Sequence, residues 1–161
     1  MKAIAVVDTM FSRGDMGKTV VETLQKKARA HSGWKIRIIR CTVPGIKDIP
    51  VALLRLLEQG CDAGIVLGMP GKMPIDKQCS HEASLGIQQV QLMTRKSVLE
   101  VFVHEDEAKS DEELGRIMHS RASKHALNLL WMLFSPGELA GRAGSGERQG
   151  RGNANPVEVK P

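Results

Sequence analysis

Tyrosine is absent from this chain of 161 residues, and aromatic side chains make up 3% of it. No run of Lys or Arg exceeds two residues, so the net charge of +5 lacks the clustered cations and stacking rings of a nucleic-acid surface. Part of that charge also sits near the end, at Arg142, Arg148, Arg151 and Lys160. A mildly basic, solvated surface accounts for it, and no nucleic-acid partner is expected. Cysteine is scarce as well. Cys41, Cys61 and Cys79 form no CxxC pair, and their odd number argues for incidental thiols in a reducing compartment rather than a disulfide framework. No apolar stretch approaches the ~18 residues of a membrane span, and the N-terminus carries no signal-peptide pattern. The expectation is a cytoplasmic protein with no membrane partner.

What is present is enough for one domain. An apolar content of 42% in a chain of this length supports a single core that buries roughly two-thirds of the unfolded surface. Residues 3–7 and 65–67 are continuous apolar runs, as expected of strands covered on both faces, and 98–103 is a third strand. Residues 36–40 alternate apolar and charged, which suits an edge strand. Helical patterns fall between the strands, at about 15–30, 49–59, 77–94 and 111–134. Strand and helix thus alternate four times, which predicts right-handed crossovers and an α/β three-layer sandwich. Its sheet is four-stranded and parallel, in the order 2-1-3-4. A single domain over 1–150 is expected, followed by a disordered tail over 151–161, where glycines mix with charges and little can be buried. The helix at 77–94 has one apolar stripe in Ala83, Ile87, Val90 and Thr94, and further apolar residues elsewhere in Leu85, Leu92 and Met93. One sheet cannot cover both, so a subunit contact is expected to take the second.

Several motifs lie where strands hand over to helices, which is where open α/β folds keep their chemistry. Gly17-Lys18-Thr19 looks like the end of a P-loop, but Ser12 stands where that motif needs a glycine, so nucleotide hydrolysis is set aside. Asp15 reads as a helix N-cap. Phe11 is one of three phenylalanines and lies in a polar loop. It either folds back on the sheet edge or offers a stacking face to a flat heterocycle. In Val43-Pro-Gly-Ile-Lys-Asp-Ile-Pro50, Gly45 allows close approach of a ligand, and Asp48 is either a simple helix cap or a ligand acceptor. His81, Glu82, His104, Glu105 and Asp106 have no fixed ligand spacing. Polar binding and proton transfer are therefore expected of them, and no protein-bound metal site.

The stretch from Cys41 to Pro50, with Gly68-Met-Pro-Gly-Lys72, His81-Glu82-Ala-Ser84 and Val103-His-Glu-Asp-Glu-Ala-Lys109, resembles the archaeal type of riboflavin synthase, a relative of lumazine synthase. The resemblance runs from Val6 to about Gly150. It implies the dismutation of two molecules of 6,7-dimethyl-8-ribityllumazine, both held in one site, to riboflavin and 5-amino-6-ribitylamino-pyrimidinedione. No cofactor is required by that chemistry, and Mg2+ is allowed for as an accessory ion. Lumazine synthases carry an aromatic after their first strand, which corresponds to Phe11. They also carry a Pro-Gly-x-x-acid-x-Pro motif whose acid binds the ribityl hydroxyls. That role passes to Asp48, with Ile46 and Lys47 lining the ring.

The loop at 68–77 separates the two activities. Lumazine synthase has there a Gly-rich, Thr-bearing segment that binds the phosphate of a four-carbon co-substrate. Here Met73-Pro-Ile75 replaces the hydroxyl donors, and Met69-Pro70 suits a second flat ring. The resemblance also implies a pentameric ring whose cleft takes Thr9, Phe11, Asp48, Met69, Pro70 and His81 from one chain and Arg121 and His125 from its neighbour. His104 and Glu105 are placed among the substrate-binding groups. His81 and His125 are the two candidate bases, and the sequence does not choose between them. Lumazine synthase and a non-catalytic lumazine- or flavin-binding protein on the same scaffold are the alternatives.

Overall fold

The structure is a computed structural model that describes residues 1–159. Four parallel strands, β1 (Lys2–Thr9), β2 (Ile36–Val43), β3 (Ala63–Gly68) and β4 (Val98–Phe102), stand in the order β2-β1-β3-β4. Four long helices connect and cover them: α1 (Met16–Arg29), α2 (Ile49–Glu58), α3 (Pro74–Thr94) and α4 (Asp111–Phe134). A short α5 (Pro136–Ala140), which the sequence pattern did not suggest, follows. This is the three-layer sandwich and strand order expected.

Side chains of successive strand residues point to opposite faces, so an apolar run in a central strand feeds two cores. On β1, Ile4 and Val6 pack with Val20 and Leu24 of α1 and Leu129 and Leu130 of α4. Ala3, Ala5 and Val7 pack with Leu53 and Leu57 of α2 and Ile87 and Val90 of α3. β2 at the sheet edge is buried only at Val43, which explains its alternation. Gly64 and Gly68 let covering groups close down on β3. A Cβ on Gly64 would lie 2.8 Å from Leu53, and one on Gly68 would lie 2.7 Å from Ile46 and 2.9 Å from the Phe102 ring.

Helix α3 starts three residues before the expected 77, because Pro74 supplies a pre-set first turn and the Asp76 carboxylate accepts the Met73 N–H at 3.0 Å. Its second apolar face, with Leu85, Leu92 and Met93, is exposed in the single chain. Asp15 caps α1 by accepting the Lys18 N–H at 2.7 Å. No helix among the described residues is long and apolar enough to cross a membrane. Residues 151–159 form neither helix nor strand, and Ala154 N–H donates to Gly146 O at 2.8 Å. Residues 160 and 161 of the expected tail lie outside the described residues.

Candidate active site

The loops leaving the carboxyl ends of β1, β2 and β3 enclose a cleft of about 420 Å³. It is lined by Thr9, Phe11, Ile46, Lys47, Asp48, Met69, Pro70 and Glu105, eight of the candidate substrate-binding residues, together with Gly45, Gly71, Asp76 and Cys79. Phe11 is 70% exposed, with its ring standing near Gly45 rather than folded into the core. The stacking reading therefore fits its position. Asp48 does not cap α2. Its Oδ2 accepts the Gly45 N–H at 3.0 Å, which closes the one-turn 3-10 helix Ile46–Asp48 beside the cleft that Asp48 lines. Lys47 pairs with Glu82, which raises the ammonium and lowers the carboxyl from their ordinary values through the hydrogen bond they share. Met69 is buried at the foot of the cleft.

Behind the β1 loop lies a polar cluster that sequence reasoning missed. Asp8, 5% exposed, accepts Arg40 Nε–H at 3.0 Å and the Thr42 hydroxyl at 2.6 Å, and Arg40 Nη2 also donates to Asp15 at 2.6 Å. Burial opposes ionisation of Asp15, but the Lys18 amide and Arg40 outweigh it and hold the carboxyl low. The available signal was an acid ending an otherwise apolar strand beside an arginine on the edge strand. This cluster ties the strand ends to the start of α1 and so frames the loop that carries Phe11.

A second cleft of about 580 Å³ opens on the other side of α3. Lys77, Ser80, His81 and Ser84 line it from α3, with Glu100 and Phe102 of β4 and with His104, Asp106 and Glu107 beyond. The structure thus separates His81 and His104 from the residues around Phe11. His81 is exposed, whereas His104 Nδ1 is buried without a hydrogen-bond partner. Glu100 is pushed up by burial, against the Ser84 hydroxyl that donates to it at 2.8 Å.

Arg121 and His125, one turn apart on α4, border neither cleft. The Arg121 side chain is 12% exposed, and its partner is internal: it donates to Glu107 at 2.9 and 2.6 Å and to Phe102 O at 3.0 Å. That pairing satisfies the charge in place and holds the Glu107 carboxyl low. His125 Nδ1 lies 2.8 Å from Arg121 O, and burial pushes the imidazole down. A carbonyl only accepts, so Nδ1 carries the proton and Nε2 keeps its lone pair. No three His, Cys, Asp or Glu side chains among the described residues are grouped to hold a metal ion.

Comparison with known proteins agrees with this architecture. The sequence model of the family described as 6,7-dimethyl-8-ribityllumazine synthase matches residues 2–136. Among relatives, the riboflavin synthase of Methanothermobacter thermautotrophicus is 48% identical over 98% of this chain and 100% of its own length. That of Methanothermobacter marburgensis is 47% identical over 98% and 100%, and that of Aeropyrum pernix is 43% identical over 98% and 99%. With the strand order, the cleft at the carboxyl ends and a match along most of its length, this chain belongs to the 6,7-dimethyl-8-ribityllumazine synthase family.

Proposed function

We propose that this protein is a riboflavin synthase that moves a four-carbon unit between two molecules of 6,7-dimethyl-8-ribityllumazine, giving riboflavin and 5-amino-6-ribitylamino-pyrimidinedione. The observation that carries the choice over lumazine synthase is the start of α3. A helix N-terminus holds a phosphate when its amides are free. Here the Asp76 carboxylate accepts the Met73 amide at 3.0 Å, and Met73 and Ile75 stand exposed at 57% and 61%. Asp76 lines the cleft, and its fixed negative charge repels a phosphorylated co-substrate.

The reaction removes a proton from the 7-methyl group of one lumazine, adds the resulting carbanion to the ring of the other, and needs no redox cofactor. Phe11 stacks on one ring, Met69 and Pro70 bound the other, and Asp48 accepts ribityl hydroxyls. Much of the acceleration comes from holding two identical reactants in orientation. Of the two candidate bases His125 has its ring fixed by the hydrogen bond from Nδ1 to Arg121 O, which leaves Nε2 as the acceptor for a proton. It lies away from the Phe11 cleft of its own chain, so a closed ring in which a neighbour's α4 completes the site is part of this reading. A pentamer is the proposed ring, with the exposed Leu85, Leu92 and Met93 face of α3 available for subunit contact. The free thiols Cys41, Cys61 and Cys79 suit a cytoplasmic setting.

Purified protein incubated with dimethylribityllumazine alone is expected to form riboflavin, read by absorbance and fluorescence. A requirement for a phosphorylated four-carbon ketone would transfer the assignment to lumazine synthase. Binding without turnover would leave only a lumazine-binding protein.

A further inference from the structure

The segment after α5 folds back along α4. Gly146 O accepts the Ala154 N–H at 2.8 Å and Asn153 Oδ1 accepts the Arg148 N–H at 3.1 Å, so residues 146–154 form a closed loop. Lys124 of α4 donates to Arg148 O at 3.2 Å, and Arg142 pairs with Glu147 at 3.1 Å. The loop sets the Gly150 backbone against the Arg121 guanidinium. A Cβ on Gly150 would lie 2.7 Å from Arg121 Nε and 2.8 Å from Nη2, and Gly150 has a φ of 74°, a conformation that side chains disfavour. Two independent features therefore call for glycine at this position. Gly146 has the same requirement, with a φ of 70° and the Ala154 carbonyl carbon 2.9 Å from where its Cβ would stand.

Arg121 in turn positions a wall of the second cleft. Its two terminal nitrogens hold Glu107, whose Oε1 also accepts the His104 N–H at 2.9 Å. A contact chain runs from Gly150 through Arg121 and Glu107 to His104, whose buried Nδ1 has no partner. We propose that the 146–154 loop is a positioning element for the reaction: its Gly150 backbone packs against the Arg121 guanidinium that holds Glu107 and so fixes the Glu107–His104 wall of the second cleft. Gly150 and Gly146 are its positioning residues, acting through Arg121. This rests on the riboflavin synthase reading and on the place in its site that the resemblance implies for Arg121.

The test is a coupling measurement in the full-length chain. Gly150→Ala and Gly146→Ala each loosen the loop by a different contact, and both are expected to lower turnover on the order of 10- to 100-fold, as a displaced site group does. In an Arg121→Lys background, where the guanidinium fork is gone, Gly150→Ala is expected to change turnover by less than about twofold, since contacting residues couple. Assembly mass and thermal unfolding are followed alongside, so that loss of fold is separated from loss of positioning. Wild-type turnover in both glycine variants, with Arg121→Ala impaired, would overturn the loop's role and leave the Arg121 reading standing. An undiminished Gly150→Ala effect in the Arg121→Lys background would also overturn it. Full activity in Arg121→Ala would sink the underlying reading and the proposal with it.

Discussion

Gly17 is the second residue of α1, a place where Gly→Ala is normally harmless or stabilising, and the structure reverses that expectation. A Cβ at position 17 would lie 2.7 Å from Arg40 Nε and 2.8 Å from its Cζ, and closer still to Asp8 Oδ2. The substitution therefore displaces Asp8, Arg40 or both, and its full cost is that of breaking the pair. Their side chains are 8% and 35% exposed, so the separated carboxylate stays largely out of water while the guanidinium recovers some hydration. Breaking a buried pair costs about 3–5 kcal/mol, and the half-open arginine puts this case at the lower end. Alanine returns up to about 1 kcal/mol through helix propensity. The net loss is about 2–3 kcal/mol, a fall in Tm of about 4–12 °C for a domain of this size.

Gly115→Ala is the control. That glycine lies within α4 with nothing within 4 Å of a built Cβ, so only the propensity term acts and Tm should rise by about 1–4 °C. Both variants are compared with wild type by thermal unfolding at one protomer concentration, because assembly makes Tm depend on concentration. If Gly17→Ala raises Tm as Gly115→Ala does, the Asp8–Arg40 cluster does not constrain position 17.

Asp48→Ala removes the carboxylate of a residue that lines the Phe11 cleft and should weaken lumazine binding by about 1–3 kcal/mol, roughly 5- to 150-fold. Titration of the ligand's fluorescence measures this, and an unchanged Kd would remove Asp48 from the site. His125→Ala should lower turnover on the order of 100-fold if the imidazole moves the proton. Mixing it with Asp48→Ala should restore partial activity if the two residues meet between subunits, and no recovery in mixed assemblies confirmed by native mass spectrometry would separate them. Glu100→Gln tests the buried carboxyl of the second cleft. Because burial raises its pKa in the folded chain from 4.5, ionisation costs stability as pH rises through the raised value, and no such cost exists well below 4.5. The variant should therefore gain Tm over wild type at pH 8 and lose that advantage at pH 4, and a gain independent of pH would contradict this cause.

The strand order was legible because it rests on short-range patterns, whereas the residues of the Phe11 cleft were implied by the resemblance. Apolar runs at Ala3–Val7 and Ile65–Leu67 can be satisfied only in strands covered on two faces, and alternation with helices then constrains the topology. The Pro-Gly loops announce their turns through backbone chemistry. Thr9, Phe11, Ile46 to Asp48, Met69, Pro70 and Glu105 line one cleft at the ends of these strands.

What lay beyond the sequence depends on which distant groups meet. The P-loop-like Gly17 proved to be a close-approach position beside Asp8 and Arg40, residues far apart in the chain that parallel pairing brings next to each other. His81 stood in the motif that carried the resemblance, yet the helical period of α3 turns it into the second cleft while Asp76 and Cys79 face the first. Arg121, which the resemblance implied for a neighbour's cleft, pairs with Glu107 within its own chain. Local pattern dictates elements and their order because each residue's φ, ψ and burial preference act over a few neighbours. Pairing of charges, the face a helix presents and the return of the 146–154 loop onto α4 are decided by packing, because they arise only when segments remote in sequence come within a few ångströms.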